Sequence, residues 1–184
     1  MSTLSGRGKS ALLVIDVQNG VVEGAFNLKV VLENINAAIA KARAAGVSVV
    51  WVQHSDEELL IDSERWQIVP ELHPEAGEPM VRKIHRSSFE ATDLESILAD
   101  LDAGHVYITG MQTDNCVRHT THAAQERGYD VTVLSDAHTT TGYEWNGHTV
   151  VAENVVNEFN DNFSGAELPG RFSRAIATSE LAFS

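Results

Sequence analysis

A chain of 184 residues, 43% hydrophobic and 21% charged, is long enough for one globular domain with a good core and too short for two comfortable ones. Its net charge of -13 argues against nucleic acid and against anionic membrane surfaces as partners. No apolar run approaches a bilayer span, the first ten residues carry no hydrophobic leader, and a single cysteine cannot form an intramolecular disulfide, so a reducing, cytoplasmic setting is expected.

Strand and helix patterns alternate along residues 1–184, which read as a single domain. Ala11-Leu-Leu-Val-Ile15 is a short apolar run ending at Asp16 and predicts a buried strand. Leu28, Val31, Leu32, Ile35, Ile39 and Ala42 recur at helical spacing, with Gly46 suited to the position just past the helix end. Val47 to Val52 predicts a second strand. The stretch from Ser55 to Pro79 holds three of the four prolines and shows no clear period. A structureless loop of that length is uncommon, so short helical turns and a function are expected there. Met80-Val-Arg-Lys83 predicts a short strand.

Thr92-Asp-Leu-Glu95 has the form of a capping box, opening a helix with Leu94, Ile97, Leu98 and Leu101 on one face and ending at Gly104. His105 to Thr109 predicts a central strand. It is followed by a turn into a helix that carries Cys116 and stops at Gly128. Asp130 to Leu134 is a further strand, Val151, Val155 and Phe159 space another helix, and Arg174 to Thr178 is the last strand. This alternation implies a parallel sheet with helices on both faces, whose sites form at the carboxyl ends of the strands.

That rule selects Asp16, Lys83 and Cys116. A thiol where a helix begins feels the positive end of the helix dipole, which favours the thiolate. Backbone N–H groups at the same place can receive a developing oxyanion. Taken singly, Cys116 could be a buried structural residue, Asp16 a turn cap and Lys83 a solvated lysine. Together they supply a nucleophile, a proton acceptor and a cation that keeps thiolate and carboxylate from repelling each other.

The residues Leu-Leu-Val-Ile-Asp16-Val-Gln18, Lys83 with Ser88-Phe89 behind it, and Gly110-x-x-Thr113-x-x-Cys116-Val117-x-x-Thr120 resemble the isochorismatase-like cysteine hydrolases. Gly128-Tyr129-Asp-Val and Leu134-Ser-Asp136-Ala137 extend the likeness, which spans about residues 10 to 160. The resemblance implies a Rossmann-like three-layer α/β/α sandwich around a parallel sheet of about six strands. It implies a triad of Asp16, Lys83 and Cys116, a cis peptide at Met111-Gln112, and an oxyanion hole made by the backbone N–H groups of Gln112 and Cys116. It also implies a homo-oligomer, either dimer or tetramer.

Within such a family the intact triad points to C–N bond hydrolysis, of a small amide or ureide through a thioester, rather than to vinyl ether cleavage. Gln18 is expected to brace the pocket beside Asp16. His54, Trp66 and Phe89 are the remaining candidates for contact with a small-molecule substrate, although aromatic residues are more often core. Ser63 to Trp66 could close over the substrate, and Thr139 to His148 is expected to form a polar and aromatic rim. Asn19-Gly-Val-Val-Glu23 supplies none of the aromatic residues such enzymes often place after Asp-x-Gln, which opens the near wall. The nicotinamidase branch binds a metal, but here Gln53-His54-Ser-Asp56 lacks the Asp-x-His order and His73 is the one further candidate before Lys83, so no metal and no cofactor are expected. Three other readings remain: a metal-dependent nicotinamidase-type enzyme, a catalytically silent small-molecule binding or regulatory protein on the same fold, and a thiol redox sensor that would need a partner thiol.

Overall fold

The computed structural model describes residues 2–183, so the two end residues of the expected 1–184 domain lie outside the described residues. In chain order the elements are β1 (Lys9–Ile15), α1 (Leu28–Ala44), β2 (Ser48–His54), β3 (Met80–Lys83), α2 (Leu94–Asp100), β4 (Ala103–Met111), α3 (Arg118–Glu126), β5 (Asp130–Thr139), β6 (Tyr143–Trp145), β7 (His148–Val150), α4 (Ala152–Ser164), β8 (Glu167–Leu168) and β9 (Arg171–Ile176). A sheet of order β3-β2-β1-β4-β5-β9-β8 forms the middle layer. Its first six strands run parallel and β8 closes one edge antiparallel.

Alternation along the strands divides the core into two layers. Ala11, Leu13 and Ile15 of β1 face Leu94, Leu98, Ala124, Phe159 and Phe163 of α2, α3 and α4. Leu12 and Val14 face Val31, Leu32, Ile35, Ile39 and Ala42 of α1 on the other side. The sequence reading of α1 holds to its end, where Gly46 adopts φ +69° just past the helix.

Several boundaries differ from expectation, among them the last strand, which spans Arg171–Ile176 rather than Arg174–Thr178. Gly104 lies inside β4 rather than ending α2. Thr92 does not form the capping box, because its hydroxyl donates to the Ser88 carbonyl while Glu95 accepts from Arg7 and Tyr129. The strand expected to stop at Leu134 continues through polar residues to Thr139. Beyond it, the expected rim is an antiparallel hairpin of β6 and β7 turned by Asn146-Gly147, both at positive φ.

Backbone hydrogen bonds tie the proline-rich stretch to the loop after β1. Asn19 N–H donates to Gln67 O, Gly20 N–H to Arg65 O and Val69 N–H to Val17 O, laying residues 65–69 along residues 17–20.

Candidate active site

The carboxyl ends of neighbouring strands bring the expected triad together. Asp16 follows β1 at φ +50°, a left-handed conformation that an Asp tolerates better than most residues, and its N–H donates to Val52 O. Gly110 makes that approach possible. At φ +114° it passes so close to β1 that an added Cβ would stand 2.0 Å from Ile15 O. Lys83 ends β3 on the same face as Val81, and reaches across the ends of β2 and β1. Cys116 lies in a wide turn over Thr113–Val117, just ahead of α3, with Asn115 at φ -114°, ψ -105°.

Lys83 Nζ is 2.6 Å from Asp16 Oδ2 and 3.2 Å from Cys116 Sγ. The Asp16 and Lys83 side chains are 1% and 0% exposed. Burial pushes the Asp16 carboxyl above the ordinary carboxylate value even against the pull of Lys83, because a carboxylate loses its hydration there. Burial alone would lower Lys83, but Asp16 and Cys116 outweigh it and hold the lysine protonated. Burial, then the charge of Asp16, pushes Cys116 up to about 12, against the relief given by Lys83. Burial and that charge both oppose the thiolate that the helix start favours, so a base beside the sulfur eases the loss of its proton.

The cysteine turn is riveted from β5 and α4. Asn160 Nδ2 donates to Ser135 O at 2.9 Å, which turns its Oδ1 toward His138 Nε2 at 2.9 Å. His138 Nε2 therefore carries the proton, and Nδ1 accepts from the Thr113 hydroxyl at 2.9 Å. Burial drops His138 to about 4, so it stays neutral. Thr140 likewise donates to Asp114 Oδ1 at 2.5 Å. Gln112 O accepts from the Asn115 and Val117 N–H groups, and the Met111-Gln112 peptide is cis. His138 was not among the residues singled out from the sequence. The polar run after Leu134 is the one signal that could have pointed to it.

The four expected substrate contacts separate. His54, at the end of β2, joins the site with Nδ1 3.3 Å from Lys83 Nζ and Nε2 3.2 Å from Asp56 Oδ2. Gln18 is fully buried and its amide is spent on backbone, donating to His54 O and Trp66 O and accepting from His54 N–H. Those bonds brace the backbone at His54 and Trp66. Trp66 is buried with its ring 5.5 Å from the Arg82 guanidinium, and Arg82 alternates with Lys83, which puts the indole on the other face of β3. Phe89 is core: its ring lies 5.8 Å from that of Tyr129 with Arg127 over it at 4.8 Å, near the start of β5 and away from the end that carries Cys116. Burial of apolar area there outweighs exposure in a pocket.

Among the described residues no group of three or more His, Cys, Asp or Glu side chains is arranged to hold a metal ion. His54 is paired with Asp56, while His73 lies on another part of the stretch, where its carbonyl accepts from Arg43.

An isochorismatase domain model matches residues 10–166 of the chain. The secreted isochorismatase effector Isc1 of Verticillium dahliae is 33% identical over 135 residues, covering 70% of this chain and 71% of that protein. Ureidoacrylate amidohydrolase RutB of Klebsiella pneumoniae is 29% identical over 171 residues, covering 70% of this chain and 72% of that protein. Among solved structures, N-carbamoylsarcosine amidase from Thermoplasma acidophilum superposes with a TM-score of 0.73 at 25% identity, covering 95% of this chain and 99% of that one.

Proposed function

The chain belongs to the isochorismatase family of hydrolases, and on that premise we propose that it is a cysteine amidohydrolase acting on a small amide or ureide. The observation that carries this reading is the lysine held between carboxylate and sulfur, with Lys83 Nζ 2.6 Å from Asp16 and 3.2 Å from Cys116.

Those positions support one course of reaction. Asp16, its affinity for a proton raised by burial, takes the proton from the Cys116 thiol as sulfur attacks the amide carbon. The carbonyl oxygen becomes an oxyanion facing the N–H groups of Gln112 and Cys116. Lys83 stays protonated throughout and offsets the negative charge passed between carboxylate and sulfur. As the tetrahedral intermediate collapses, Asp16 returns its proton to the departing nitrogen, which leaves as ammonia or an amine, and the acyl group remains on sulfur as a thioester. Asp16 then accepts a proton from water as it attacks the thioester. Release of the acid restores the thiol. The amidohydrolase and amidase names among the relatives support C–N cleavage over other hydrolyses.

The test is release of ammonia or amine from a panel of small amides and ureides by the wild type and by Cys116→Ser, with and without EDTA. Release that needs Cys116 and survives EDTA is expected. Equal release by Cys116→Ser sinks the cysteine mechanism, and loss with EDTA would show that a metal takes part. Turnover of nothing in the panel, with Cys116 inert to iodoacetamide, would favour a binding protein on this fold.

A further inference from the structure

A buried ammonium must satisfy three N–H donors, and Lys83 has three neighbours to receive them. Two are Asp16 Oδ2 and Cys116 Sγ. The third is His54 Nδ1 at 3.3 Å. An ammonium has nothing to accept with, so this contact requires Nδ1 to be the bare nitrogen of the imidazole, and Nε2 to carry the proton toward Asp56 Oδ2 at 3.2 Å.

Asp56 is itself anchored, its Oδ1 accepting from the Glu58 and Leu59 N–H groups at 2.8 and 2.9 Å. The backbone beneath the imidazole is equally fixed, because Gln18 grips both the N–H and the carbonyl of His54. Gln18 follows Asp16 by two residues, so one local clamp sets the base and the imidazole together.

We propose that His54 is a positioning residue for Lys83: its Nδ1 takes the third ammonium hydrogen, so the other two point at Asp16 and Cys116. The inference rests on the reading of Cys116 as nucleophile and assigns His54 to the catalytic lysine rather than to the substrate. Asp56 selects the tautomer that makes this possible. Without an acceptor at that place the lysine keeps one buried N–H unpaired, and its hold on the sulfur loosens.

Cys116 is the chain's one cysteine, so its alkylation by iodoacetamide, followed by mass spectrometry, reads this site without knowledge of the substrate. His54→Leu removes the acceptor at similar size, and His54→Asn places an amide oxygen where Nδ1 stands. We expect alkylation at neutral pH to slow about tenfold in His54→Leu and to recover most of the wild-type rate in His54→Asn, with thermal melts showing both folded. Wild-type rates in His54→Leu overturn the inference alone, as does an His54→Asn protein as slow as His54→Leu. A wild-type Cys116 that resists iodoacetamide overturns the nucleophile reading and this inference with it. Nitrogen-15 spectra of the wild type give a check independent of variants: His54 with its proton on Nδ1 is incompatible with the proposal.

Discussion

The Lys83 ammonium and the Asp16 carboxylate meet at 2.6 Å with almost no solvent on either side chain. A buried pair of this kind contributes modestly as a pair, because desolvation offsets the attraction, but removing one partner leaves an uncompensated charge. Lys83→Met is therefore expected to cost about 3–5 kcal/mol of stability and to abolish turnover. Chemical denaturation beside an activity assay checks both. A Lys83→Met protein as stable as wild type would mean that Asp16 is neutral in the resting site.

Asp16→Asn keeps the shape and removes the proton acceptor, so it should lower kcat by at least about a thousandfold, close to the loss in Cys116→Ser. The double variant should lose little more, because base and nucleophile act as one unit. Single-turnover rates measured on the three proteins decide it, and full additivity would separate their roles.

Gln18 is predicted to act through folding as well as catalysis. Gln18→Leu deletes two donations, to His54 O and Trp66 O, and one acceptance from His54 N–H. At about 1 kcal/mol for each net hydrogen bond, the expected loss is about 2–3 kcal/mol. Denaturant midpoints check it, and an unchanged midpoint would mean the loop of residues 65–69 is held by its backbone contacts alone.

Gly110 and Gly147 make a matched pair. Both have positive φ, but a Cβ at Gly110 meets Ile15 O at 2.0 Å and a Cβ at Gly147 meets nothing within 4 Å. Gly147→Ala should cost about 1–2 kcal/mol, the conformational penalty alone. Gly110→Ala should cost more than about 4 kcal/mol or leave no soluble protein, because β1 and β4 would have to part. Expression and melting of the two variants side by side test the contrast.

Acid should destabilise the fold through its buried histidines. Burial lowers His138 to about 4 in the folded chain, from an ordinary value of 6.5. Between those values the unfolded chain binds more protons, so stability rises with pH across the window and is lost as pH falls from 6.5 toward 4. The full shift corresponds to about 3 kcal/mol. His105, also lowered to about 4 by burial and Arg174, adds in the same direction. Melting curves of wild type and His138→Gln from pH 7 to pH 4 test this. The variant should show the shallower decline, and parallel curves would mean the carboxylates alone govern acid stability.

The sequence was most legible where the pattern is local. An apolar run ending at Asp16, a short strand ending at Lys83, the helical period of Leu28 to Ala42, and a thiol just past a strand all depend on neighbours within a few residues. The fates of Trp66 and Phe89 were not legible, because a large aromatic residue reads the same in a pocket wall and in a core until the elements around it are placed.

What the residues determined alone was the order of strands and helices, the parallel sheet that this order implies, and the set of three strand-ending groups able to do the chemistry. Packing decided how those groups stand to one another. Lys83 reaches Asp16 and Cys116 because β3, β2, β1 and β4 lie side by side in register, an arrangement set by contacts between residues far apart in the chain. Alternation along β3 turns Arg82 and Lys83 to opposite faces, and the chain's path seats Trp66 beside Arg82. Packing also set the proton affinities. Burial raises Asp16 and Cys116, and a string of letters carries no measure of burial until the chain has closed around them.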